Sequence, residues 1–353
     1  MEPFASGITT AVSSIVGELP EFTHIIIHGL RNFAETIEDA KQHFPTGISF
    51  IEWKYASREI NLKKDWKAYK ELKAILKQYK SQSEKIVVHL HSSKAGFIGR
   101  FACRNLGIKS VIYTPHCGAF IRTDISRMMQ KMYKFFEKLG GCFGGRVVGC
   151  GHSEGELYKK LGKDTTYVSN GVALKELKET ADRNLISFTG IASIQKNPAM
   201  WNAVAVTCFN SAQDSGFSFY WIGSGPWERE LEEEFITVTG WKTKEEVEAL
   251  LSKTAIYFSA SAWEGLPYGV LEAMNCGCAL LLKNVPGNRD LVMNGENGWL
   301  FNTQEEAIEK LKIMLKDKTL LAKMGKRSRQ MIEQDFSLKQ MSDGYRKIYL
   351  SYE

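Results

Sequence analysis

The 353-residue sequence lacks any apolar run near the roughly 18 to 20 residues that a membrane span needs. No secretory leader precedes its first helical stretch, which predicts a cytoplasmic protein. Low-complexity tracts and a repeat period are also missing, which excludes fibrous and solenoid architectures. The seven cysteines, Cys103, Cys117, Cys142, Cys150, Cys208, Cys276 and Cys278, form no CxxC pair and show no zinc-like spacing. An odd set of this kind reads as reduced thiols, and no metal site is expected. No RNP-like, zinc-finger or recognition-helix pattern is present, so nucleic acid is not an expected partner.

What is present is chain length enough for about two domains. The apolar content of 44% and charged content of 24% are those of a globular protein. Charge is uneven: residues 1–175 hold 26 Lys or Arg against 16 Asp or Glu, a net of +10. The remainder holds 20 against 24, a net of −4. A basic half beside a mildly acidic one points to an anionic partner for one domain, or to a solvated basic face.

Apolar β-branched runs alternate with amphipathic stretches throughout, as in parallel α/β layers. In the first half, strands are expected near 23–28, 48–53, 86–91, 110–114 and 147–150. Helices are expected near 8–17, 32–42, 63–80, 94–106 and 124–138. A polar stretch, 175–183, reads as an interdomain linker. Strands then recur near 185–189, 218–222, 235–239, 255–259 and 278–283, and the final helices cover 304–349. A doubly wound sheet normally opens with a strand, a glycine turn and a helix. Gly7 and Ile8 fit the turn and helix start, but only six residues precede them. The first strand is therefore expected to be short or missing, because the start lies upstream or this edge of the sheet is compromised.

The most informative segment runs from Ser261 to Met274 and contains Glu264-Gly-Leu-Pro and Glu272-Ala-Met. It follows an expected strand and leads into a helix, with Pro267 suited to the first turn. Amide groups over Leu266–Gly269 would face a crevice at the strand's carboxyl end. A helix start of this kind carries partial positive charge and fits a diphosphate. Glu264 lies before the helix and Glu272 in its second turn, so they should reach different parts of one ligand. Carboxylates there can accept from sugar hydroxyls.

The segment resembles the E-x7-E motif of retaining GT-B glycosyltransferases of family 4. Other segments resemble that family in the same order: His91-Ser-Ser-Lys94-Ala-Gly96, Thr114-Pro-His116, Asn170-Gly171-Val172, and Gly190 through Gln195-Lys196-Asn-Pro198. Trp221-Ile-Gly-Ser-Gly225, Gly240-Trp241 and Pro286-Gly-Asn-Arg-Asp290 complete the run. The resemblance implies two Rossmann-like doubly wound domains facing across a cleft that closes on the donor. They would comprise residues 1–175 with 338–353, and residues 176–337, the last helix crossing back.

The resemblance also implies roles. Glu272 would hold the donor ribose, and Glu264 the donor sugar, beside the backbone of Gly265, Leu266, Pro267, Tyr268 and Gly269. Lys196, on the loop opened by Gly190, would neutralise the diphosphate. Backbone at Gly240 and Trp241 would bind the base, and the Gly7 turn would approach the diphosphate. His116 would sit beside the transferred sugar. His116, Glu264 and Lys196 form the implied catalytic set, with a UDP- or GDP-sugar as donor and no metal. Family members carry Arg directly after the phosphate-loop glycine, whereas this chain has Ile191, whose apolar side chain cannot pair with phosphate. With Lys196 and both glutamates in place, activity is expected to be retained.

His89 and His91 alternate onto one strand face and read as packing, not as metal ligands. Lys94 starts a helix and could touch acceptor or phosphate, or simply cap. Arg127, Lys131, Lys134 and Lys138 recur at helical spacing among Met128, Met129, Met132, Phe135 and Phe136. That pattern fits a helix lying on an anionic membrane face near a lipid-linked acceptor, or an ordinary packed helix. The function expected is transfer of a sugar to a glycan or lipid-linked acceptor in cell-surface polysaccharide, lipopolysaccharide or capsule synthesis, with peripheral attachment to the inner membrane face. A sugar-nucleotide epimerase of the same fold and a non-catalytic binding subunit stand beside it.

Overall fold

In the computed structural model, the described residues are 6–29, 37–57, 60–83, 85–176 and 183–352. The first part of the chain forms α1 (Ser6–Glu18), β1 (Ile25–His28), α2 (Ile37–Gln42), β2 (Ser49–Glu52) and α3 (Leu62–Gln82). It continues through β3 (Val88–His91), α4 (Ser93–Leu106), β4 (Val111–Thr114), α5 (Arg127–Gly141), β5 (Arg146–Gly149), α6 (His152–Lys159) and β6 (Thr165–Tyr167). The second part begins with β7 (Leu185–Thr189), α7 (Pro198–Asp214), β8 (Ser218–Ile222), β9 (Ile236–Val238), α8 (Lys244–Ser252) and β10 (Thr254–Ser259). It continues with α9 (Tyr268–Asn275), β11 (Ala279–Lys283), α10 (Pro286–Arg289), β12 (Gly298–Phe301), α11 (Gln304–Leu315) and α12 (Lys318–Asp335). The chain then adds α13 (Leu338–Leu350). The chain divides into two compact units. Unit 1 comprises Met1–Ile121, Ile125–Asn170 and Leu338–Glu353; unit 2 comprises Arg122–Asp124 and Gly171–Ser337.

Every strand pairing between these elements is parallel. In unit 2 the sheet order is β12-β11-β10-β7-β8-β9. The chain thus starts at the centre with β7, winds outward to β9, then returns to the other side of β7 with β10. That reversal marks a doubly wound sheet, whose ligand crevice lies at the carboxyl ends of the strands flanking the switch, here β7 and β10. All six residues of β10 and the first four of β7 and β11 are buried. Their near-continuous apolar reading is what a sheet covered on both faces requires.

Unit 1 has the same parallel chemistry in two pieces, a pair β1-β2 and a four-stranded sheet β3-β4-β5-β6. α1 and α13 cover one side of β4 and β5 through Ile15, Leu19, Ile112, Val148, Tyr345 and Tyr349. α3 and α4 build the core around Tyr69, Leu72, Ala95, Ile98, Val111 and Val147. The expected short or missing first strand falls on residues 1–5, which lie outside the described residues, as do 32–36 of the expected 32–42 helix and 177–182 of the expected linker.

Several expected boundaries shift. α5 starts at Arg127, not near 124, because Ser126 caps it by accepting from the Met129 N–H at 3.2 Å. Pro267 is the cap residue of α9, one position before the first turn. The region 304–349 divides into α11, α12 and α13, and β6 and β12 are strands that the residue pattern did not reveal.

Candidate active site

The loops at the carboxyl ends of β7 and β10 meet. After β7 the chain turns at Gly190, passes Ile191 and reaches Lys196, then enters α7 behind Asn197, whose side chain accepts from the Met200 N–H at 3.3 Å. After β10 it runs from Ala260 to the Pro267 cap of α9. The Ala262 N–H donates to the Gln195 carbonyl at 2.8 Å, tying one loop to the other. Lys196 Nζ lies 2.6 Å from Glu264 Oε1, and Gln195 Nε2 donates to the Trp263 carbonyl at 3.0 Å and reaches Glu264 Oε2 at 3.4 Å. Glu264 is only 5% exposed, so this pairing gives a nearly buried carboxylate its counter-charge. The structure thus brings Lys196 and Glu264 together at the switch point.

Neighbouring loops are held backbone to backbone. A Cβ at Gly287, in α10 after β11, would overlap the Gly265 carbonyl, so only glycine lets that turn support the Glu264 loop. A Cβ at Gly223 would likewise overlap the Gly190 carbonyl, which also accepts from the Trp221 indole N–H at 3.1 Å. Gly223 forms a bridge with Gly240, at the carboxyl end of β9, and Trp241 follows with its ring 56% exposed. Beneath these turns, the buried Tyr257 hydroxyl lies 2.8 Å from Thr189 Oγ1 and accepts from the Thr189 N–H at 3.2 Å. Burial holds that phenol well above its ordinary range. The Ile191 side chain lies near Gly225, on the neighbouring loop.

Glu272 sits one helical turn inside α9. Burial raises its carboxyl above the ordinary range, against Lys244 and Lys175, which lower it. Its charged surroundings therefore differ from those of Glu264, and the two carboxylates can serve different groups. Within the expected row of amides over Leu266–Gly269, Pro267 has no N–H to offer, and Gly269 lies in the first turn of α9, where N–H groups fall outside the helical ladder.

In unit 1, His116 follows β4 in the half-buried turn Pro115–Gly118. Glu154 of α6 accepts the N–H groups of Cys117 at 2.7 Å, Gly118 at 3.2 Å and Cys150 at 2.9 Å. Burial raises the Glu154 carboxyl, opposed by those same bonds. Burial also lowers His116 to about 4, so its imidazole is neutral at pH 7. Gly7 lies in the first turn of α1 and is exposed, so it is a helical residue and not a turn before the helix. Lys94 pairs with Asp65 at 2.6 Å and reaches Ser57 at 3.3 Å. Among the described residues, no cluster of three or more His, Cys, Asp or Glu side chains could hold a metal ion. No helix among them is long and apolar enough to cross a membrane.

Gln195, Tyr257 and Glu154 escaped sequence reasoning. Gln195 adjoins Lys196 and could have been weighed with it; the other two act across long sequence separations that no local pattern reports.

Comparison with known proteins agrees with this geometry. Among curated proteins, the chain is 28% identical over 322 residues to the Escherichia coli UDP-Gal:alpha-D-GlcNAc-diphosphoundecaprenol alpha-1,3-galactosyltransferase, covering 83% of this chain and 81% of that one. It is 28% identical over 153 residues to a putative colanic acid biosynthesis glycosyltransferase of E. coli K12, covering 38% of each. Among solved structures, sucrose-phosphate synthase from Thermosynechococcus elongatus superposes with a TM-score of 0.80 at 16% identity, covering 98% of this chain and 94% of that one. HepE from Anabaena, in complex with UDP and glucose, gives 0.76 at 14%, covering 98% and 96%. These are GT-B glycosyltransferases, and the likeness shows that fold. Residues 176–331 match the family described as Glycosyl transferases group 1. The chain has the GT-B fold, and the crevice between β7 and β10 lies within the residues that match the group 1 glycosyl transferases.

Proposed function

We propose that the chain is a retaining glycosyltransferase that moves a sugar from a UDP- or GDP-sugar onto a glycan or lipid-linked acceptor in cell-surface polysaccharide synthesis. The observation that carries this reading is the ammonium of Lys196, held against Glu264 at the switch point of the sheet. A fixed cation beside a helix start stabilises charge developing on a departing diphosphate, the main electrostatic task of such a transfer. No metal is needed for that task. In this reading Glu264 accepts from donor-sugar hydroxyls, Glu272 from ribose, and the turn at Gly240 and Trp241 receives the base. His116, whose imidazole burial keeps neutral, retains its proposed role beside the transferred sugar.

The acceptor class is supported by the E. coli relative, whose name places its acceptor sugar on diphosphoundecaprenol. It is supported independently by α5, whose exposed Arg127, Lys131, Lys134 and Lys138 stand beside the exposed Met128 and Phe135. Cations with apolar anchors fit an anionic leaflet, where lipid-linked substrates reside. The deciding experiment screens nucleotide-sugars for thermal stabilisation, which binding produces by mass action. The stabilising donor is then incubated with lipid-diphosphate-linked N-acetylhexosamine, and the product anomer is read by NMR. Retention is expected; an inverted product overturns the mechanism, and no stabilisation by any nucleotide-sugar overturns the donor assignment.

A further inference from the structure

Unit 1 contains a stack of three imidazoles, with His91 buried and His89 and His116 half-buried. His89 and His91, two residues apart on β3, have ring centroids 4.0 Å apart, and His91 lies over His116 at 5.2 Å with ring planes 23° apart. His91 Nδ1 and His116 Nε2 are 2.9 Å apart. Both nitrogens of His89 are engaged elsewhere, Nδ1 with the Tyr349 hydroxyl and Nε2 with Thr114 Oγ1, each at 2.8 Å. His89 is thus a fixed wall, and His91 is the member of the stack that grips His116.

The backbone at His116 needs holding. Its φ is +52° and that of Cys117 is +78°, two successive non-glycine residues in the left-handed region. Such a pair costs on the order of 1 to 2 kcal/mol per residue. The Glu154 carboxylate fixes the backbone of the turn, but it does not touch the imidazole. A neutral imidazole carries one donor and one acceptor nitrogen. With Nε2 bound to His91, the nitrogen left for a ligand is Nδ1, and the proton in the His91–His116 bond decides whether Nδ1 donates or accepts. Burial first, then the neighbouring histidines, keep His91 and His89 below their ordinary values, and burial does the same for His116, so the stack carries no net charge.

We propose that His91 is a positioning residue that fixes the ring plane and the single neutral tautomer of His116, so that His116 presents one defined nitrogen, Nδ1, to the sugar in transit. The sugar rests on the glycosyltransferase reading; the tautomer does not. The test uses the full chain with 15N-labelled histidine, His116 being assigned by comparison with His116→Gln. Wild type is expected to show one protonated and one bare His116 nitrogen. His91→Phe is expected to show averaged resonances for both nitrogens. Its kcat should fall by about 10- to 100-fold, by analogy with the loss when the partner that orients a metal-bound histidine is removed, with donor KM little changed. His91→Asn, whose amide nitrogen stands as many bonds from Cα as Nδ1, should restore both signals and turnover. His91→Gln, one carbon too long, should not. If His91→Phe fails to fold, the Asn and Gln variants carry the comparison. Unaltered His116 resonances together with unaltered kcat in His91→Phe, or equal behaviour of the Asn and Gln variants, would overturn the proposal. If wild type turns over no donor, the functional reading falls while the nitrogen resonances still decide the pairing.

Discussion

The two units share parallel α/β construction but are held together by different chemistry. Unit 2 is centred on β7, β10 and β11, whose buried runs Leu-Ile-Ser-Phe, Thr-Ala-Ile-Tyr-Phe-Ser and Ala-Leu-Leu-Leu contribute mostly apolar contact. Unit 1 has shorter strands in two separate sheets and, beside its apolar cores, buries a polar network. Arg100 pairs with Glu137 at 3.4 Å and lies over the Tyr113 ring, while the Tyr113 hydroxyl donates to Glu137 at 2.8 Å. All seven histidines of the chain, from His24 to His152, fall in unit 1. Apolar packing is indifferent to protons, whereas buried imidazoles are not. Unit 2 should therefore tolerate conditions that unit 1 does not.

The strongest way to sharpen that contrast is acid. His28 is lowered to about 4, His89 to about 3 and His116 to about 4, each chiefly by burial, and His91 falls well below its ordinary value. Between those values and about 6.5, the unfolded chain binds protons that the folded chain refuses, so stability is lost as pH falls through 6.5. By pH 5 each such histidine removes about 2 kcal/mol. Glu154, raised by burial, works the opposite way and softens the loss. Hydrogen exchange resolved by unit should show unit 1 opening first at pH 5; coincident opening would break the contrast.

Next in size is Lys196→Ala in unit 2, expected to raise the barrier by about 2.7 to 4 kcal/mol, or about 100- to 1,000-fold in kcat. Glu264→Ala should lower turnover more than affinity, and Glu272→Ala should mainly weaken donor binding. Wild-type kinetics in all three would remove the site from this crevice. Smaller again is Gly287→Ala, whose Cβ meets the Gly265 carbonyl. Overpacking of this kind costs about 1 to 3 kcal/mol, to be read by calorimetry, with donor affinity falling in parallel. The smallest is Tyr257→Phe, which removes the hydroxyl bonded to Thr189 and should cost about 1 kcal/mol. An effect on unit 1 opening in any of these variants would argue against independent units.

The sequence made the alternating strands of unit 2 plain, because β7 and β8 are five-residue apolar runs bounded by turn residues. It concealed β6, whose Thr-Thr-Tyr holds no apolar run, and β12, and both are defined by their pairing with β5 and β11. The Lys196 and Glu264 segments stood out for their helix-start context, yet their mutual ion pair spans 68 positions and exists only through the β7–β10 pairing. His91 reads in the sequence as packing and Glu154 does not stand out, since a histidine on a strand and a glutamate in a helix acquire their roles from what they meet.

The Lys196–Glu264 contact carries one more consequence. An anion that draws the ammonium away strips a nearly buried carboxylate of its counter-charge, which is costly unless the newcomer supplies hydrogen-bond donors in return. Phosphate or pyrophosphate alone brings mostly acceptor oxygens and added negative charge, whereas a sugar diphosphate brings several neutral hydroxyl donors along with its charge. Under the proposed function the pair would work as a two-key lock, favouring a molecule that carries both and discouraging occupancy by bare inorganic anions.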